Sequence, residues 1–364
     1  MIDRAFWDKR KVLVTGHTGF KGGWLSLWLQ DLGAEVTGFA LEPPTMPNLF
    51  ERAEVHEQMD SRVGDIREFD SLLSLLLETE PDVIFHLAAQ SLVRASYADP
   101  INTYATNVMG TVNLLEAVRR ANAVGNCDVR AVLVITSDKC YENLELVRGY
   151  REIDAMGGAD PYASSKGCAE LVTSAFRRSF FSEDGSSVAI ASARAGNVIG
   201  GGDWALNRLV PDAVRAFFGK ETLRIRRPDA VRPWQHVLEP LMGYLLLCQK
   251  LYVDGGRYAV GWNFGPEEQS EQPVARVVEI LAKQWGGNVK WTIDGGQHPH
   301  EATYLKLDST RARDELGWQQ KLDLEESIAL TVDWYRQARR CHSMREYTIE
   351  QIHQHQHRIH EAPT

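Results

Sequence analysis

The chain has 364 residues, 44% of them apolar and 24% charged, with a formal net charge of −9. That balance fits a globular protein with a large core and two lobes. It argues against nucleic acid as the main partner, because phosphate binding needs a basic face.

In chain order, "KVLVTG" (11–16) reads as a strand and "FKGGWLSLWLQDLG" (20–33) as a helix ending at Gly33. "AEVTGFAL" (34–41) is the next strand, "FDSLLSLLLETE" (69–80) a helix and "PDVIFHLAAQ" (81–90) a further strand. "TNVMGTVNLLEAVRRA" (106–121) places Val108, Val112, Leu115 and Val118 on one helical face. "RAVLVITS" (130–137) is too continuously apolar for a one-sided sheet, so it reads as a buried parallel strand. "SVAIASARAGNVIG" (187–200) supplies another strand, and "RYAVGWNFG" (257–265) one that returns to the sheet. Alternation of this kind predicts an α/β fold: a Rossmann-type doubly wound parallel sheet with a smaller, interleaved C-terminal substrate-binding lobe. The expected division is 1–198 with 236–266 for the sheet domain and 199–235 with 267–345 for the second lobe. Residues 346–364 form a polar, His-rich tail, "IEQIHQHQHRIHEAPT" being read as a frayed, solvated helix.

No apolar run is long enough to span a membrane, and the opening "MIDRAFWDKRK" lacks the apolar core of a secretory signal. Cys127, Cys140, Cys168, Cys248 and Cys341 form no tight pair, which reads as reduced cytoplasmic thiols and argues against disulfides or metal.

Gly16, Gly19 and Gly22 lie between the first strand and the first helix, the context in which a glycine-rich turn closes on a dinucleotide pyrophosphate. The carboxylate that usually follows about 20 residues on, accepting ribose hydroxyls, is replaced by Ala40, with Glu42 two residues later. In "VGDIRE", Asp65 has two readings, an adenine contact or a helix cap. His17 and Lys21 are unusual in such a turn. Either they touch the pyrophosphate, or Lys21 extends from the helix while His17 merely tolerates the turn.

"PYASSK" sets Tyr162 and Lys166 four residues apart on one helical face. An ammonium near a phenol favours the phenolate, which can take a hydroxyl proton while hydride leaves for a nicotinamide.

With these residues in hand, the chain resembles the extended short-chain dehydrogenases/reductases over essentially its whole length. The resemblance rests on the glycine turn, Asp65-Ile66, "HLAAQ" (86–90), "NVMGT" (107–111) and Tyr162/Lys166. Within that family it is similar to the nucleotide-sugar 4,6-dehydratases, above all the branch acting on CDP-glucose. The stretches "GHTGFKGGWL", "LEPPT", "PNLF", "SDKCY", "GNVIGGGDWA" and "YLKLDSTRAR" carry that similarity.

The resemblance implies NAD as cofactor, held by Gly16, His17, Gly19, Phe20, Lys21, Gly22, Asp65, Ile66, Leu87, Ala88, Ala89, Gln90, Asn107, Tyr162 and Lys166. It implies CDP-glucose as the substrate, no nucleic-acid or membrane partner, and a homo-oligomer, dimer or tetramer. A 4,6-dehydratase oxidises C4, removes the C5 proton, expels the C6 hydroxyl as water and returns hydride to C6.

Ser137 is expected to bond the C4 oxygen, and Asp138 to be the acid for water loss, for which it must be protonated. Lys139 stands where many relatives have Glu, and serves as C5 base if its pKa is depressed. UDP-N-acetylglucosamine 4,6-dehydratases share Asp-Lys here and are the alternative. A 4-epimerase needs neither residue, and a dinucleotide-sensing regulatory protein has no need of the Tyr/Lys pair. For the sugar nucleotide the implied contacts are Gln90, Ser137, Asn197, Arg208, Leu209, Arg226, Arg232, Asn263, His300, Glu301 and Tyr304. Arginine suits a diphosphate because its fork bonds two oxygens.

Overall fold

Seven strands make one parallel sheet: β1 (Lys11–Thr15), β2 (Glu35–Ala40), β3 (Asp60–Val63), β4 (Val83–His86), β5 (Ala131–Ile135), β6 (Ala189–Arg194) and β7 (Gly261–Asn263), all but the polar edge strand β3 largely apolar. The computed structural model describes residues 2–125, 127–181, 188–287, 289–296 and 304–360. The strand order is β7-β6-β5-β4-β1-β2-β3. Chain order reverses on either side of β1, so the crevice at a doubly wound sheet's switch point opens between β1 and β4. β4 and β5 are buried at every position, as strands covered on both faces must be.

Register decides what meets at the crevice. Thr15 pairs with His86, His86 with Val134, and Ile135 with Ala193. The C-terminal ends of β1, β4, β5 and β6 therefore form one edge. The turns that leave it are the glycine turn, "LAAQ", "TSDK" and "AGN".

The connecting helices are α1 (Phe20–Asp31), α2 (Phe69–Thr79), α3 (Gly110–Val124) and α4 (Pro161–Phe180). α3 is preceded by a π-helical turn, Ala105–Met109. Thr111, Leu114, Leu115, Val118 and Ala121 are buried, whereas Val108, within the π turn, and Val112 are only half-buried.

Beyond β6 the chain leaves the sheet for three two-stranded ribbons: 198–199 with 235–236, 223–225 with 291–293, and 231–233 with 271–273. Helices α5 (Leu209–Gly219), α6 (Leu238–Asp254), α7 (Val274–Trp285) and α8 (Leu324–Ala338) accompany them. One buried cluster runs from Val12 and Trp28 through Leu241 to Phe217, Leu281 and Trp334, so the second region shares its core with the sheet.

The tail departs from expectation. Arg345–His360 form a helix, α9, docked on α1 rather than frayed in solvent. Met344, Thr348, Gln351, Ile352 and His355 are buried. Arg345 donates to Gln30 Oε1 at 2.7 Å and to the Glu54 carbonyl at 2.8 Å, and His355 Nε2 meets Glu239 at 3.1 Å. A polar composition concealed a helix whose buried polar groups find partners only across the fold.

Candidate active site

The glycine turn is built by close approach. Gly16 has φ +78°, and a Cβ there would lie 2.7 Å from Ala88 N; one on Gly22 would lie 2.1 Å from Gly16 O. α1 starts after Gly19, which supplies no side-chain cap. The donors of the first helical turn are thus left for a ligand, and a dinucleotide pyrophosphate fits them by charge and shape.

The two basic residues of this turn part company. His17 is fully buried, its Nε2 2.8 Å from Ser61 Oγ and its ring edge-on to Phe50 at 5.4 Å. Burial lowers its pKa to about 4, so it is a neutral packing group turned toward β2 and β3. As a charged pyrophosphate contact, His17 is corrected. Lys21 faces the reaction cleft. Burial lowers its pKa to about 7, with Arg208, Lys166 and Lys139 reinforcing the shift and Asp138 opposing it.

The rest of the dinucleotide wall is mixed. Phe20, Leu87, Ala88, Ala89 and Gln90 are half-buried. Asn107 in the π turn is buried, accepting from Gln90 N at 2.8 Å and donating to the Gln90 carbonyl and Ser165 Oγ. The Gln90 side chain donates to Thr103 Oγ1 and accepts from Leu92 N. Asp65 accepts from Arg67 N and pairs with its guanidinium, which first and foremost holds its pKa low; it therefore serves a turn. Ile66 is buried against Gly110.

The catalytic wall is the end of β5 with the first turns of α4. Pro161 at the helix start and an Asp160 cap bonded to Ala163 N begin α4 and set Tyr162 in its first turn. Ser137, Asp138, Tyr162 and Lys166 are each less than a tenth exposed. Ser137 Oγ donates to Asp138 Oδ1 at 2.8 Å, and Lys139 Nζ reaches the same oxygen at 3.3 Å. Asp138 Oδ2 is buried without a hydrogen-bond partner among the described residues.

Lys166 Nζ donates to the Ile135 carbonyl at 3.2 Å. Burial lowers its pKa to about 8, with the Glu170 carboxylate opposing the shift. The expected lowering of Tyr162 is not found. Burial pushes the phenol up to about 12, Asp138 adds to that, and Ser137 and Arg208 pull it down. The reason is desolvation of a buried phenol, while the Lys166 ammonium is directed at the Ile135 carbonyl.

Arg208, the residue before α5, donates to Asp203 at 3.0 Å and to Ser91 Oγ at 2.8 Å. It thereby ties the "GGDW" loop to the mouth of the crevice. Leu209 beside it is half-buried, as is Asn197, which has φ +44°. Arg226 and Arg232 lie in or beside the outer ribbons, Arg232 donating to the Val231 carbonyl, and Tyr304 is exposed, bridging to Val231. Asn263 is a correction. It is fully buried, with Nδ2 on the Tyr150 and Asp308 carbonyls and Oδ1 accepting from Tyr141, so it has nothing left for a sugar. Tyr141 stacks on Tyr150 at 5.2 Å and is likewise a packing residue. His300 and Glu301 lie outside the described residues.

Sequence reasoning missed Glu170, Arg194 and Thr136, which form a buried network behind this wall. The signal was present in the helical spacing, since Glu170 follows Lys166 by one turn.

A switch-point crevice, a glycine turn and a buried Tyr/Lys pair define a dinucleotide-dependent enzyme of the short-chain dehydrogenase/reductase class. The family described as GDP-mannose 4,6 dehydratase matches residues 13–331, and the chain belongs to that family, within the extended branch of the class. It is 53% identical over 339 residues to the CDP-glucose 4,6-dehydratase of Salmonella typhimurium, covering 92% of this chain and 93% of that one. It is 30% identical over 330 residues to a UDP-glucose 4-epimerase of Mycolicibacterium smegmatis, covering 90% and 98%. Among solved structures, the dTDP-glucose 4,6-dehydratase DesIV of Streptomyces venezuelae with NAD bound matches with a TM-score of 0.75 and 26% identity, covering 90% and 97%. A Thermus thermophilus UDP-glucose 4-epimerase shares the fold with a TM-score of 0.76, covering 89% and 98% at 23% identity.

Proposed function

We propose that the chain dehydrates CDP-D-glucose to CDP-4-dehydro-6-deoxy-D-glucose, in deoxysugar synthesis for bacterial surface polysaccharide. One observation carries the reading: Asp138, fully buried and bonded to Ser137 and Lys139, stands beside Tyr162. Oxidation at C4 needs the tyrosine alone, whereas losing water from C5 and C6 needs an acid and a base next to it. The 53% identity to a CDP-glucose 4,6-dehydratase supports the substrate.

The glycine turn would hold NAD, which would supply a hydride acceptor at C4 and a hydride donor at C6, so that no other oxidant or reductant would be needed. Tyr162 accepts the C4 hydroxyl proton in its phenolate form, which Ser137 and Arg208 favour. The new C4 ketone acidifies the C5 proton; Lys139 removes it and gives a proton back to C5 when hydride arrives at C6. Asp138 gives a proton to the departing C6 hydroxyl. Its Oδ2 is the oxygen from which a proton leaves without breaking a bond already made. Lys21 stands on the cleft side of the glycine turn and His17 on the side of β3. Arg208, Arg226 and Arg232 supply guanidiniums toward the diphosphate and base, with Asn197, Leu209 and Tyr304 around the sugar nucleotide.

No helix among the described residues is long and apolar enough to cross a membrane. We place the enzyme in the cytoplasm as a homo-oligomer paired through the helices bearing Asn107 and Tyr162, whose outer side exposes Ile101, Met109 and Leu171. The deciding experiment incubates the chain with catalytic NAD and either CDP-glucose or UDP-N-acetylglucosamine, and weighs the product. Loss of one water from CDP-glucose alone is expected. Turnover of only the UDP sugar, or an unchanged mass with inverted C4, overturns the assignment.

A further inference from the structure

Behind the catalytic wall lies a charge that the reaction does not use. Glu170 sits on α4 one turn after Lys166 and is buried, at 4% exposure. Its three partners come from two neighbouring strands, β6 and the end of β5. Arg194 on β6 grips it twice, Nε to Oε1 at 3.0 Å and Nη2 to Oε2 at 2.8 Å. Ser192 Oγ donates at 2.7 Å, and Thr136 Oγ1 donates to Oε1.

Thr136 immediately precedes Ser137 and Asp138, and the carbonyl before it, Ile135, receives the Lys166 ammonium. α4 is therefore stapled to two successive residues of the strand end, by Lys166 and by Glu170. We propose that Glu170 is a positioning residue of the reaction. Through Thr136 it sets the strand end that presents Ser137 and Asp138, and through its charge it keeps Lys166 an ammonium on the cleft wall.

The electrostatic half follows from what surrounds Lys166. Its ionisable neighbours are Glu170 on its own helix, Cys140 on the turn after β5, Lys21 on α1 and His86 on β4. His86 is neutral, its pKa lowered by burial to about 3, and Cys140 is held as a thiol by burial. Lys21 repels. Glu170 is thus the carboxylate among them that opposes desolvation of the lysine. Burial alone would raise its own pKa, but Arg194, Ser192 and Thr136 outweigh that and keep it ionised. Arg194 also donates to Tyr141 OH and stacks over its ring at 5.0 Å, which fixes the far side of the same turn.

The inference rests on the dehydratase reading for its rate measurements but not for its labelling measurement, so the two can fail separately. Removing Glu170 alone would strand Arg194, so the test variant is Glu170→Gln with Arg194→Met, which deletes both charges and keeps volume. Competitive acetic anhydride labelling, read by peptide mass, follows the protonation of Lys166 without substrate. Its midpoint should fall by about one pH unit or more when the carboxylate is removed. The alkaline limb of kcat should move down by the same amount, with KM little changed. Glu170→Asp, which keeps the charge, should restore the midpoint.

A folded double variant with the wild-type midpoint and pH limb overturns the electrostatic role. Thr136→Val tests the mechanical role while leaving the ion pair whole, and keeps the proposal testable if the double variant does not fold. We expect roughly a tenfold loss in kcat with an unchanged labelling midpoint. Undiminished kcat overturns it.

Discussion

The glycine turn after β1 and the "TSDK" turn after β5 leave the same sheet edge, yet they are held in different ways. The first is shaped by backbone: Gly16 and Gly22 approach neighbouring main chain where no Cβ fits, and its histidine is neutral. The second is shaped by charge: Asp138, Lys139, Lys166, Glu170 and Arg194 meet around one strand end. A turn that only binds needs amides at the right spacing. A turn that moves protons needs ionisable groups kept out of water and bonded in place, which raises the stakes of every substitution there.

The largest effect expected on the catalytic side is from Tyr162→Phe, which removes the proton acceptor. Turnover should fall by roughly two to four orders of magnitude with cofactor affinity nearly intact in calorimetry. Near-normal turnover would remove Tyr162 from the mechanism.

Asp138→Asn should split the reaction. Oxidation persists while water loss slows by about a hundredfold or more, so the absorbance of the reduced cofactor builds up in a single turnover. If that absorbance never forms, Asp138 belongs to oxidation or to folding.

Lys139→Met tests the same turn more narrowly. If Lys139 is the C5 base, exchange of the C5 proton with deuterated solvent should stop, as mass spectrometry of recovered sugar would show. Undiminished exchange passes the role to another group, Tyr162 or Glu142 among them.

Smaller effects are expected on the backbone-shaped side. Lys21 is half-buried and carries a pKa lowered to about 7 by burial and by the cations near it, so it pulls weakly on a pyrophosphate. Lys21→Ile should tighten NAD binding several-fold, roughly a kilocalorie per mole, in calorimetric titration. Weaker binding would make Lys21 a phosphate ligand. His17→Ala should not follow the same sign, because His17 points toward Ser61 and Phe50 rather than into the cleft.

The last prediction concerns stability. His17, His86 and His236 have folded pKa values lowered by burial to about 4, about 3 and about 3. The unfolded chain binds these protons near the ordinary value, so their contribution is full above about pH 6.5 and is lost as pH falls toward 4 and below. Each should add a slope of up to about 1.4 kcal/mol per pH unit in that window. Denaturant midpoints that do not move between about pH 7 and about pH 5 would show that these histidines are not held neutral.

Length, alternation of apolar runs and turn chemistry were enough to read a doubly wound parallel sheet with six of its seven strands, the glycine turn and the Tyr162/Lys166 helix. Those are short-range signals: periodicity of 2 or 3.6 residues, and spacing within one turn. β3, short and polar, carries no apolar run to mark it. The direction in which each side chain points was left to tertiary structure. His17 and Lys21 lie four residues apart in one turn, yet β2 and β3 take one while the catalytic cleft takes the other. Asn263 looks like a free polar residue at a strand end until Tyr141, Tyr150 and Asp308 close over it. The His-rich tail reads as solvated because its partners, Glu239 and Gln30, are more than a hundred residues away in the chain. Burial and pairing of polar groups depend on contacts between distant segments, and it is these contacts that set the charge state of every group in the site.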